Sequence, residues 1–224
     1  MAGYALGRKG ETMKRMHLWV LLFAVAATGC AKKASEEIDF GTIEDSVYRN
    51  KYFGLTLTVP DDWNVQSQEA RQQLMDQGGK MLAGEDKNLK AAVKASEKQT
   101  VNLLTAFKHP MGAPVPYNPN IIAVAERIRH MPGIKTGQDY YFHAKKLIES
   151  SPMDVTVREE GVKETLGGRE FAVMEVDMGM GKMVVHQKYY TAIMKGYALA
   201  FIVSYSTDEE LKLLKGILDS VTLE

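Results

Sequence analysis

Two periodicities divide the chain. Residues 52–59, Tyr-Phe-Gly-Leu-Thr-Leu-Thr-Val, alternate along a β-rich stretch and predict a half-buried strand. Pro60 ends that strand, Asp61-Asp62 turns the chain, and Trp63 follows. Beyond Ser67, a residue suited to capping, Ala70, Leu74, Met75, Met81 and Leu82 recur at helical spacing. Gly78-Gly79 weakens this helix and Gly84 ends it; Asp86 opens a second, striped by Leu89, Ala92 and Val93. Strands are predicted over 101–108 and 121–128, around a loop stiffened by Pro110, Pro114, Pro116 and Pro119. Thr136 and Asp139 have the spacing of a capping box, and the helix they open turns Tyr140, Ala144, Leu147 and Ile148 inward.

From residue 153 onward the pattern is one of strands joined by glycine turns. Pieces at 153–159 and 162–166 precede a turn at Gly167-Gly168. Strands at 169–178, 182–194 and 197–205 follow, with turns expected at Gly179-Met180-Gly181 and Lys195-Gly196. Such short connections make an antiparallel meander. Ser206 and Thr207, each with a glutamate three residues on, cap a closing helix with the stripe Leu211, Leu214, Ile217, Leu218 and Val221. The whole predicts an α+β fold: a central antiparallel sheet of about six to seven strands sandwiched by helices.

The N-terminal segment obeys different rules. Lys14 and Arg15 lead into the apolar run Leu18–Ala27, which ends in Ala27-Thr28-Gly29-Cys30. The run is about half of the roughly 20 residues a spanning helix needs. It resembles a bacterial lipoprotein signal peptide ending in a lipobox. On that resemblance residues 1–29 are the signal peptide, with Met13 as its start and residues 1–12 an upstream extension. The resemblance implies Cys30 as the lipidation site, its thiol taking a diacylglycerol and its freed amine often acylated as well (a palmitate-type modification). Two or more chains anchor stably where one is marginal. Ala31, rather than Asp, at the next position favours the outer over the inner membrane on the enterobacterial sorting pattern. Residues 30–48 then read as the lipidated cysteine and a polar tether, and residues 49–224 as a single globular domain on the periplasmic side.

Cleavage changes the charge only slightly. Residues 1–29 hold four of the 28 basic and one of the 28 acidic residues, so the remainder is mildly acidic. That balance gives no electrostatic footprint for nucleic acid. Cys30 is the single cysteine, so the domain has no thiol for catalysis, metal binding or a disulfide.

Little in the domain has the spacing of catalytic chemistry. Met178, Met180 and Met183 surround a glycine turn, and three thioethers could hold Cu(I); the plainer alternative is packing or exposure of a Met-bearing hairpin. His109 and His130 fall at opposite ends of the predicted 101–108/121–128 pair, which argues against a shared metal. His143, one turn after Asp139, and His186, mid-strand, read as solvated or locally capped. Asp61-Asp62 lacks the oxygen ladder of a calcium loop, and Gly179–Lys182 lacks Walker spacing. Gly-x-Ser-x-Gly and His-Glu-x-x-His are absent from the sequence. The rings of Tyr117, Tyr140, Tyr141, Phe142, Tyr189 and Tyr190 could line a groove, but adjacent rings diverge, so some face outward.

Tyr52-x-Gly54-Leu55 followed by Pro60-x-x-Trp63, the strand Gln187-Lys188-Tyr189-Tyr190, the Gly196-Tyr197-Ala198 hairpin and the closing helix with Ser220-Val221 together resemble the PsbP-like superfamily. Its members include photosystem II extrinsic proteins, a Ran-binding import factor and periplasmic lipoproteins of the DcrB type. The resemblance implies a sheet between helical layers, with Pro60 and Trp63 as its structural signature. It covers residues 49–224; the polar helical stretch at 66–98 departs from it. It implies binding or assembly rather than catalysis, with no cofactor. The expected function is therefore a non-catalytic, membrane-anchored envelope factor with a protein partner. A small-ligand or Cu(I) carrier is the alternative, and an unrecognised hydrolase the second.

Overall fold

A computed structural model describes residues 38–224. The expected signal peptide and the lipidation site Cys30 lie outside the described residues. In chain order the elements are β1 (Thr42–Glu44), β2 (Val47–Asn50), β3 (Leu55–Thr58), β4 (Asn64–Val65), α1 (Gln68–Ala83), α2 (Lys87–Glu97), β5 (Thr100–Phe107) and β6 (Asn120–Arg127). They continue with α3 (Gly137–Glu149), β7 (Val155–Leu166), β8 (Arg169–Met180), β9 (Met183–Met194), β10 (Tyr197–Tyr205), α4 (Asp208–Leu218) and β11 (Thr222–Leu223). Among the described residues no helix is long and apolar enough to cross a membrane.

The fold is α+β, as expected. A seven-stranded antiparallel sheet runs in the order β4-β5-β6-β10-β9-β8-β7. A second sheet, β1-β2-β3-β11, was not anticipated, because it joins the two ends of the folded chain and no local pattern announces that pairing. Alternation gives the large sheet two distinct faces. One buries Phe171, Val173, Tyr190, Leu199 and Phe201 against Leu55 and Leu57 of the small sheet and Leu214 and Ile217 of α4. Fully burying side chains of this size contributes about 1.5–3 kcal/mol each. The other face carries Ala172, Met174 and Val176 against Tyr141, Ala144 and Ile148 of α3.

Three boundaries differ from the sequence reading, each for a tertiary reason. The expected tether reached residue 48, yet β1 and the first half of β2 lie within it. Tyr48 and Asn50 fix that segment: Tyr48 Oη donates to the Phe40 carbonyl at 3.1 Å and Asn50 Nδ2 to the Asp39 carbonyl at 2.8 Å. The strand pieces at 153–159 and 162–166 are one strand, β7, with register shifts on either side of residues 159–160. The β8–β9 turn is Gly181-Lys182, because Met180 and Met183 are partners, rather than Gly179-Met180-Gly181. Gly179 stays in the strand, where a side chain would crowd Asp154; its Cβ would sit 2.8 Å from Asp154 Cγ. Gly181, at φ +67°, supplies the left-handed turn residue. Moving the turn changes the register by an odd number of residues, which decides which side chains share a face.

Candidate functional site

The helices α1, α2 and α3 build one site over the second face of the large sheet. Ser67 caps α1, accepting from the Ala70 amide at 3.2 Å, and Asp86 caps α2 through the Asn88 and Leu89 amides. Gly79 lets the two helices meet closely, since a Cβ there would lie 2.9 Å from Val93 Cγ1. An Arg71 guanidinium N–H donated to the Leu103 carbonyl fastens α1 to β5. The expected capping box opens α3: the Asp139 carboxylate accepts from the Lys135 amide at 3.0 Å and the Thr136 amide at 2.9 Å, while Thr136 Oγ1 accepts from the Asp139 amide at 3.2 Å. Those backbone donors, Lys135 first, hold the Asp139 carboxyl below its ordinary pKa. Tyr141 then fixes the helix face by donating to the Ala172 carbonyl at 2.9 Å and to that of Tyr189.

Between the α1–α2 hairpin and α3 lies a cleft of about 590 Å³. Met81 and Leu82 form one wall, Leu147 and Ile148 the other, and Val176, Met178 and Tyr189 the floor. The end of α1 approaches the chain after α3, where a Cβ on Gly84 would lie 2.5 Å from Pro152 Cγ. Glu126 of β6 lines the cleft beside both walls. Its Oε2 accepts from Tyr140 Oη at 2.6 Å and its Oε1 from Ser96 Oγ at 3.0 Å, so one carboxylate ties α2 and α3 to the sheet. Burial first, and the Glu126 charge second, push the Tyr140 phenol well above its ordinary pKa and keep it a donor. Gln187 accepts from Tyr189 Oη and donates to Ser204 Oγ at 2.9 Å. The lining is otherwise apolar, with His143 as its remaining titratable group.

The sequence-predicted residues scatter around this site. Trp63 is buried in the main core and its amide donates to the Pro60 carbonyl at 2.9 Å, just past β3. Met178 lines the cleft; Met180 and Met183 are register partners on the same face, with Met180 exposed at the hairpin tip. Of the aromatic candidates, Tyr140 and Tyr189 line the cleft, Tyr141 and Tyr190 are buried, and Phe142 is 73% exposed. Of the two alternatives for His186 the structure shows the capped one: it is half-buried, with Nδ1 2.7 Å from Asp177 Oδ1. It joins a network in which Glu175, 8% exposed, meets Arg158 Nη2 at 2.6 Å and Lys188. Because residues 186 and 187 alternate, this network lies on the sheet face opposite the cleft.

Sequence reasoning missed Glu126, Ser96 and Gln187. One signal was available for Glu126: in strand 120–127 it alternates with Ile122 and Val124, placing a carboxylate on an apolar row. Ser96 had none, since its partner is 30 residues away.

No protein-family model matches the sequence, and no curated protein matches it. Solved structures do. The solution structure of cyanobacterial PsbP (CyanoP) from Synechocystis sp. PCC 6803 is 13% identical, with a TM-score of 0.50, covering 82% of this chain and 96% of that one. LpqN of Mycobacterium tuberculosis, described as involved in cell envelope biogenesis, is 16% identical, with a TM-score of 0.37, covering 75% of this chain and 82% of that one. The likeness to CyanoP shows that the chain has a PsbP-like fold.

Proposed function

We propose that this protein is a non-catalytic binding protein, tethered through lipid on Cys30 to the periplasmic side of a bacterial membrane, that holds an apolar ligand in the cleft between α1–α2 and α3. The cleft carries the reading. Its volume falls in the range of roughly 300–1,000 Å³ typical of small-ligand sites, and its lining joins a broad apolar surface to a few placed polar groups. Met81, Met131, Met153 and Met178 contribute flexible, polarisable side chains that adapt to an occupant's shape. The Asp177–His186 pair, the arrangement nearest to acid–base chemistry, lies on the other face of the sheet and does not reach the cleft. This favours the carrier alternative of the sequence reading over a hydrolase.

Native mass spectrometry on the full chain released from membranes tests the reading. A retained low-mass apolar adduct is expected, lost when Leu147→Trp fills the cleft. An adduct unaffected by that substitution refutes it. Membrane fractionation tests the anchor: Cys30→Ser should shift the chain out of the membrane fraction, and unchanged membrane association refutes lipid tethering.

Phe142 favours a second reading, an envelope protein partner. It projects from the side of α3 away from the cleft, among Gln138, Lys145 and Glu149, with nearly three-quarters of its surface exposed (73%), and a large ring left in water is suited to a partner contact. Cross-linking in intact membranes, compared with Phe142→Ala, checks this; an unchanged cross-link pattern removes it.

A further inference from the structure

The cleft's polar end specifies the class of head group it accepts. At that end the hydroxyl protons of Tyr140 and Ser96 are already committed. The Tyr140 hydroxyl donates to Glu126 Oε2 and the Ser96 hydroxyl to Oε1, at 2.6 Å and 3.0 Å. What these three side chains still offer is acceptor capacity: the remaining lone pairs of a carboxylate and of two hydroxyl oxygens. Among the described lining residues Glu126 is also the one carboxylate, and no lysine or arginine joins it. An anionic head placed there would meet the Glu126 carboxylate with no lysine or arginine opposite it, the His143 imidazole being the one basic group among the described lining residues. Desolvating two like charges without a counter-ion is among the costliest arrangements in a protein.

Resting on the reading of the cleft as a binding site, we infer that its ligand is a single-chain lipid of the envelope whose head donates hydrogen bonds and carries no negative charge. The chain lies along Leu147, Ile148 and Met178, and a hydroxyl or amine head donates to Glu126. The size of the cleft favours one chain: about 590 Å³ is in the range for one small ligand. Ser96 and Tyr140 hold the carboxylate from both helical walls, so the acceptor is preorganised and gains affinity without reordering on binding.

Two photoreactive probes of equal chain length test this, one with a monoacylglycerol head and one with a permanently anionic sulfonate. Each is presented to the full chain in phosphatidylcholine vesicles, and labelled peptides are mapped by mass spectrometry. The monoacylglycerol probe should label the α3 wall and the β8 floor about tenfold more than the sulfonate, the ratio that one hydrogen bond to a charged group supports. Glu126→Gln keeps the shape and removes the charge, and should bring the ratio toward one. Equal or stronger sulfonate labelling of the wild-type cleft overturns the head-group inference while leaving an apolar binding site in place. Absence of cleft labelling by both probes, as when a second copy or the protein's own acyl chains fill it, overturns the proposal and the reading beneath it.

Discussion

The same substitution, glycine to alanine, should have opposite effects at two helical positions. Gly137 begins α3 and rests directly on the sheet. A Cβ there would lie 2.9 Å from Ala172 Cβ and closer still to the Thr191 carbonyl oxygen. Neither neighbour can rotate away, since one is a methyl on the backbone and the other a strand carbonyl. Restoring an ordinary separation of about 3.5 Å requires the helix start to lift by something on the order of 1 Å. Overpacking of this kind costs about 1–3 kcal/mol. Gly216 in α4 is exposed, and nothing lies within 4 Å of its would-be Cβ. There alanine meets no obstacle and gains helix propensity, about 0.5–1 kcal/mol. The two variants should therefore differ in stability by about 1.5–4 kcal/mol. At a urea m-value of about 2 kcal/mol/M, their midpoints fall about 1–2 M apart on either side of wild type. Urea unfolding followed by circular dichroism reads this directly. A Gly137→Ala midpoint at or above wild type would mean that α3 does not seat on Thr191, and the cleft wall built on it would lose its basis.

Two further outcomes follow from side chains at the same helix. Thr136→Ala removes one half of the capping box and should cost about 1 kcal/mol in the same assay. Asp139 has a depressed folded-state pKa, so its contribution is present above the unfolded value of about 4 and is lost as pH falls through the folded one. Acid unfolding should accordingly be displaced when Asp139 is replaced by Asn, and an unchanged acid profile counts against the cap. Burial raises the phenols of Tyr140, Tyr141, Tyr189 and Tyr190, and that of Tyr48 to about 12. The folded state then keeps protons that the unfolded chain releases near pH 10, so stability falls as pH rises above about 10. Absorbance at alkaline pH should show these rings ionising only with unfolding; a single tyrosine titration near pH 10 in the folded protein refutes their burial.

Much of the scaffold was legible in sequence because its causes are local. Ser67, Asp86, Thr136 and Thr207 cap helices where their types and spacings place them, since a cap bonds amides two or three residues away. The strands from Arg169 to Tyr205 follow from alternation and from glycines between them. The polar stretch at 66–98, which departed from the PsbP-like pattern, is the α1–α2 hairpin that walls the cleft. The β8–β9 turn was misplaced because Gly179 and Gly181 look alike in sequence; only the crowding of Gly179 against Asp154 separates a close-approach glycine from a turn glycine. That same register is what pairs Asp177 with His186 and Glu175 with Lys188.

By itself the sequence determined the class of fold, the helix starts and the run of strands from Arg169 to Tyr205, all of which depend on neighbours along the chain. The tertiary structure decided that β11 closes a second sheet with β3, that the Met178 hairpin shares its apolar face with α3, and that Ser96, Glu126 and Tyr140 meet at one end of a cleft. Those contacts join residues far apart in the chain. Their partners are chosen by packing and register, which no local pattern encodes.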